Sequence, residues 1–186
     1  VAILPVRIYG DPLLRERAKD VTAFDDRLRA LVRDMFETMD AYHGVGLAGN
    51  QVGVASRVFV LDVPLDDDTR VRRCIANPEL DQRSGSETAE EGCLSIPGIY
   101  EEVDRSTRVR LRGADEHGKP VELEAAGYLA RAIQHEVDHL NGVLFVDRLS
   151  PLKRQFLKKQ LDALANGDVP EGYHPNEPAR DEGEAL

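Results

Sequence analysis

A chain of 186 residues in which 41% of side chains are hydrophobic carries enough apolar surface for one domain with a sizeable core. Its 34 acidic residues against 24 basic ones give a formal charge of −10, which argues against a general binder of nucleic acid or of an anionic membrane surface, because either partner repels it. Two cysteines, Cys74 and Cys93, are too few for a disulfide framework and read as single thiols of a reducing compartment, the cytosol by default.

The opening residues Val1–Val6 are apolar but are cut short by Arg7 and a Gly10-Asp11-Pro12 turn, unlike a secretory signal or a membrane span. Residues Val1–Val21 read as a wrapping arm with no visible chemistry. From Asp25 to Tyr42 the apolar positions Leu28, Leu31, Val32, Met35, Phe36 and Met39 recur at helical spacing, with Thr22 or Asp25 available as N-cap. Met35 and Met39 are read as core filling. His43–Gly53, HGVGLAGNQVG, is a glycine-rich break; no lysine or Ser/Thr follows at the offset of a phosphate cradle. Its glycines allow close approach of another segment or a ligand, which leaves Gln51 either presenting its amide as a donor or solvated in a turn. His43 is read as a helix-end histidine.

Arg57–Asp62 and Val71–Ala76 read as strands on either side of an acidic turn at Asp66–Asp68, and Cys74 as a small buried hydrophobe. Asn77-Pro78 follows the second strand, and Glu90–Pro97, EEGCLSIP, reads as irregular. Thr107–Arg112 and Val121–Ala125 form a hairpin whose tip, Asp115–Pro120, places His117 in solvent. Gly142 closes the following helix, Val143–Val146 reads as a short extended run, and Ser150-Pro151 opens a last helix through about Asn166. The tail Gly167–Leu186, which contains His174, is acidic and rich in Pro and Gly, and is expected to be flexible. One domain over residues 1–166 of α+β class is expected, with strands around a central helix, a helix in the N-terminal half and another at the C-terminal end.

That central helix carries QHEVDHLNG, Gln134–Gly142. Two histidines four residues apart stand one turn apart on one side of a helix, where both can hold one metal ion. Leu129, Ile133, Glu136, Val137 and Leu140 share one arc flanked by the histidines, so Glu136 is expected in an apolar setting that raises its pKa. Asp138 falls on the far side, either solvated or partnering the ligands. Two ordinary helix histidines are the bland reading, and a third ligand separates the two. Cys93 supplies one, a soft thiolate suited to zinc or ferrous iron, and three protein ligands leave a coordination position open as in a catalytic site.

Three stretches, GVGLAGNQ at Gly44–Gln51, EGCLS at Glu91–Ser95 and QHEVDH at Gln134–His139, together resemble the signature motifs of the peptide deformylase family. The likeness extends to Asp11-Pro12 and Leu14-Arg15, to Leu31–Met39, to Gly118-Lys119-Pro120 and to Gly142–Pro151, leaving only the tail outside it. The resemblance implies removal of the formyl group from the N-terminal formyl-methionine of new polypeptides in the cytoplasm. It implies one divalent metal on Cys93, His135 and His139, ferrous iron in the cell and often zinc or nickel after purification. A metal-bound hydroxide is implied as nucleophile, Glu136 as general base and acid, and the Gln51 amide with the Leu94 N–H as donors to the formyl oxygen. Val45, Gly46 and Gly92 are implied to align the peptide as an added strand, and Tyr100 to stand near the methionine pocket. Gly49 stands where the family usually has alanine and is expected to loosen the loop; Tyr100 and Arg131 also depart from some members. Ribosome association of the tail is left open. The rival readings are a metallopeptidase acting on ordinary peptide bonds and a structural zinc module.

Overall fold

The computed structural model describes residues 2–66 and 68–173. Five antiparallel strands make the main sheet, in spatial order β1 (Gly46–Ala48), β2 (Val58–Pro64), β3 (Arg70–Ser84), β6 (Arg108–Ala114) and β7 (Pro120–Ala126). Strands β4 (Glu87–Glu91) and β5 (Glu101–Arg105) pair separately. Helix α1 (Asp26–Ala41) covers one face of the main sheet, α2 (Gly127–Leu140) the other, and α3 (Pro151–Ala165) packs beside the small sheet.

The middle strands show why the apolar run in RVFVLD is unbroken. Val58 and Val60 point into the layer under α1, with Leu28, Val32, Met35 and Met39, whereas Phe59, Leu61 and Val63 point into the layer under α2. A strand buried on both faces needs apolar residues at both parities. Cys74 and Ile75 divide in the same way, so Cys74 is the buried hydrophobe expected, and its burial pushes the thiol pKa up. Each fully buried large side chain in these layers contributes roughly 1.5–3 kcal/mol.

Helix ends follow the sequence reading. Asp25 accepts from the N–H groups of Arg27 and Leu28 at 3.1 Å, and the Ser150 hydroxyl accepts from Lys153 N–H at 3.2 Å. At the far end of α2, buried Arg57 donates to the Leu140 carbonyl at 3.1 Å and to Asn141 Oδ1 at 3.0 Å. Cationic donors suit that end of a helix, where carbonyls have no intrahelical partner.

Three local expectations change. The strand read as Val71–Ala76 continues to Ser84, because register shifts absorb Asn77 and Pro78 between Ala76 and Glu79. Asn77, at φ 50°, exchanges two hydrogen bonds with Val21 at 2.8 and 2.9 Å, so the bulge anchors the N-terminal arm. Val143–Val146 is not extended throughout: Phe145–Arg148 is one turn of 3-10 helix, started by Asp147, whose side chain accepts from Leu144 N–H at 2.8 Å. Of the stretch read as irregular, Glu90 and Glu91 belong to strand β4, whereas Gly92–Pro97, with Cys93, forms turns outside any strand as expected. Of the tail, Val169 packs into the core layer of α3, and residues 174–186, His174 among them, lie outside the described residues.

Candidate metal centre and cleft

Helix α2 delivers His135 to the wall of a cavity of about 540 Å³ with His139 buried one turn further along, and the turn after β4 brings Cys93 to meet them. Cys93 Sγ lies 3.3 Å from His139 Nε2, which lies 3.1 Å from His135 Nε2, and the three candidate ligand atoms fall within 4.8 Å of one another. Two imidazole nitrogens and a sulfur facing each other at such distances have a divalent cation as their natural common partner. The donor set therefore fits the metal that the sequence implied. His117, by contrast, is exposed at the β6–β7 turn.

The ring of His135 is fixed from behind. Its Nδ1 lies 2.9 Å from Glu91 Oε2, and an ionised Glu91 makes Nδ1 the protonated nitrogen and Nε2 the one with a free lone pair. Burial opposes the charge on Glu91, but the bidentate Arg105 (2.8 and 2.9 Å) and His135 overcome it and hold the carboxyl well below the usual carboxylate range. Arg131 adds a third cationic contact at 2.9 Å. Arg105 also donates to Asp138 at 2.5 Å, and Arg148 grips both oxygens of Asp138 at 2.5 Å. Asp138 is thus buried and ion-paired, so the solvated alternative gives way to that of a supporting partner.

Arg131 is not a free charge of the pocket. Its guanidinium reaches through to the carbonyls of Val103 and Glu87, both at 2.7 Å, and so ties α2 to the small sheet.

Glu136 stands in the opposite environment. It is 4% exposed, its Oε2 has no hydrogen-bond partner, and burial pushes its pKa up to about 7 against a partial pull from His135. Gly46 backs directly onto it, since a Cβ at that position would overlap the carboxylate.

Gln51 is 2% exposed and lies on the 3-10 turn Gly49–Val52. Its Oε1 accepts from Ala48 N–H at 2.9 Å, which turns Nε2 toward Ser95 Oγ (3.2 Å) and Cys93 Sγ (3.5 Å). The solvated alternative for Gln51 is therefore excluded. Gly49 does the reverse of loosening this loop: it is buried, and an added Cβ would meet the carbonyls of Val54 and Ser56 at 2.8 and 2.7 Å. Glycine permits the loop to close on itself.

Strand β1 is an edge of the main sheet. Because the Val45 carbonyl accepts from Asp62 N–H at 2.9 Å, alternation turns the N–H and C=O of Gly46 outward, on the same side as the Ala48 N–H that holds Gln51. Val45, Gly46, Gly92, Leu94 and Tyr100 all line the cavity; Tyr100 is 64% exposed, with its ring against Gly92. Leu94 sits in a turn closed by Ile96 N–H to the Cys93 carbonyl at 2.9 Å.

Sequence reasoning missed Glu91, Arg105 and Arg148 as the support of the centre. The only available signal was Glu91 two residues before Cys93, because the arginines come from distant strands and turns. It also missed Tyr173, which reaches the cleft from beyond α3.

Comparison with known proteins agrees with this geometry. The family described as polypeptide deformylase matches residues 3–155. A peptide deformylase of Alkalilimnicola ehrlichii is 49% identical over 164 residues, covering 88% of this chain and 92% of that protein. One of Thermotoga maritima is 48% identical over 164 residues, covering 86% and 95%. Among solved structures, a Legionella pneumophila peptide deformylase superposes with a TM-score of 0.81 at 44% identity, over 89% of this chain and 96% of that one. The Ehrlichia chaffeensis enzyme in complex with actinonin gives 0.83 at 35% identity, over 91% and 100%. With a Cys/His/His group able to hold one divalent ion, the chain belongs to the peptide deformylase family, metal-dependent hydrolases that remove the formyl group from N-formyl-methionyl polypeptides.

Proposed function

We propose that residues 1–166 form one catalytic domain in which Cys93, His135 and His139 hold the metal and Glu136 moves the protons of deformylation. The observation that carries this reading is a buried carboxylate with one oxygen lacking a hydrogen-bond partner, beside three converging donor atoms; its burial pushes the pKa up. When bound, a divalent ion supplies Lewis-acid polarisation and brings the pKa of a coordinated water toward neutrality. Glu136 accepts a proton from the attacking water and passes it to the amine as the C–N bond breaks, which yields formate and a free N-terminus. The Gln51 amide and the Leu94 N–H donate to the formyl oxygen as charge builds on it, each contributing roughly 3–4 kcal/mol if it behaves as other oxyanion donors do.

The substrate is laid along β1 as an added strand, bonded to the outward N–H and C=O of Gly46, with Val45 and Gly92 beside it. Tyr100 borders the pocket for the methionine side chain. Ferrous iron is the ion in the cell, and zinc or nickel fits the same thiolate and imidazole donors. A cytoplasmic location follows from a substrate made on the ribosome and from two unpaired thiols; no helix among the described residues is long and apolar enough to cross a membrane. The reading of association with the ribosome is supported by the outer side of α3, where Leu152 and Phe156 are 61% and 77% exposed and Lys159 stands one turn from Phe156.

Protein loaded anaerobically with ferrous iron is expected to release formate from formyl-Met-Ala and to leave casein intact. Cleavage of casein without formate release overturns the reading.

A further inference from the structure

Residues 167–173 turn back over the body of the protein after α3. Val169 packs with the α3 core, and Pro170 lies against Gly98 at the rim of the cleft. A turn closed by Tyr173 N–H to the Pro170 carbonyl at 3.0 Å then aims the Tyr173 side chain inward. There its hydroxyl donates to the Leu94 carbonyl at 2.8 Å, and its ring centroid lies 6.3 Å from that of Tyr42. Gly172, Tyr173, Tyr42 and His43 line the same cavity as Cys93 and Glu136.

The direction of the substrate decides what this wall meets. A peptide on the outer edge of β1 with its formyl end at Gln51 and Cys93 passes Gly46 and continues toward Gly44, His43 and Tyr42. The side chain that follows methionine therefore arrives beside the paired rings of Tyr42 and Tyr173. Resting on the deformylase reading above, we propose that Tyr173 is a positioning and specificity-determining residue: its hydroxyl sets the Leu94 turn, and its ring, with that of Tyr42, selects an apolar side chain after methionine. Aromatic rings supply such contacts with little loss of side-chain freedom.

The test measures kcat and KM of the full-length, iron-loaded protein on formyl-Met-Ala and formyl-Met-Leu, for wild type, Tyr173→Phe and Tyr173→Ala. Calorimetry with the products Met-Ala and Met-Leu gives a readout apart from turnover. Tyr173→Phe keeps the wall and loses one neutral hydrogen bond, so kcat falls about threefold to tenfold on both substrates while the Leu/Ala preference stays. Tyr173→Ala loses the wall as well, so kcat/KM for formyl-Met-Leu falls a further ~10-fold, mainly through KM, and the preference for Met-Leu over Met-Ala disappears in binding too. An active wild type with the same Leu/Ala ratio in Tyr173→Ala, or with Tyr173→Phe indistinguishable from it, overturns this proposal alone. A wild type inactive on both formyl peptides overturns the deformylase reading and this one with it.

Discussion

Two buried glutamates, Glu91 bonded to the His135 ring and Glu136 next to His135 in the chain, have opposite fates. Glu91 meets Arg105, Arg131 and His135 and is held ionised; Glu136 is buried against Gly46, leaves one oxygen without a partner, and is pushed up to about 7 by that burial. The same functional group at similar burial thus becomes a fixed anion in one place and, in the proposed reading, a proton carrier in the other. Neighbouring charges, more than depth, decide which.

The largest effect should come from removing the second of these groups. Glu136→Gln is expected to lower kcat by roughly 10²–10⁴-fold with metal content retained, as read by formate release and metal analysis; a loss below tenfold would break the division of labour. Removing the first should act on stability instead. Glu91→Ala strands two arginines and the His135 Nδ1–H without their shared acceptor, at a cost of about 3–5 kcal/mol in denaturant unfolding of the metal-free protein.

Gly46→Ala sharpens the contrast without replacing either glutamate. Its new Cβ displaces Glu136 and leaves the Glu91 side alone, so turnover is expected to fall about 10²-fold with little change in unfolding midpoint.

The smallest effect lies in pH dependence, where the two glutamates carry opposite signs. The folded pKa of Glu91 is depressed, so its stabilisation is present above its unfolded pKa of about 4.3 and is lost as pH falls further toward the depressed value. The folded pKa of Glu136 is raised, so its contribution is full below about pH 4.3 and is lost as pH rises through about 7. In metal-free protein, Glu91→Gln should flatten the acid limb of melting temperature against pH, and Glu136→Gln the decline between those values. Parallel changes in both variants would mean that the two environments do not differ.

The partition also explains how much of this molecule was legible beforehand. Helical spacing in α1 and α2, the caps at Asp25 and Ser150, and the apolar setting of Glu136 are local properties, written within a few residues of each site. The pair β4 and β5 was missed because their sequences, ETAEE and EEVDR, are mostly charged and show no apolar alternation. Their inner positions include Glu91 and Arg105, which bury each other's charge. The partners of Arg131 on the small sheet are carbonyls of strands that only pairing brings within reach.

Residue order alone therefore determined the candidate ligand types, their grouping on one helix and one turn, and the family. Tertiary structure decided which nitrogen of His135 faces the centre, which glutamate stays ionised, which backbone groups of β1 face the cleft, and that a tyrosine from beyond α3 lines it. The physical reason is range. Helix periodicity and capping act over one turn, whereas a carboxylate's charge state depends on every group within a few ångströms, and most of those groups are supplied by residues dozens of positions away.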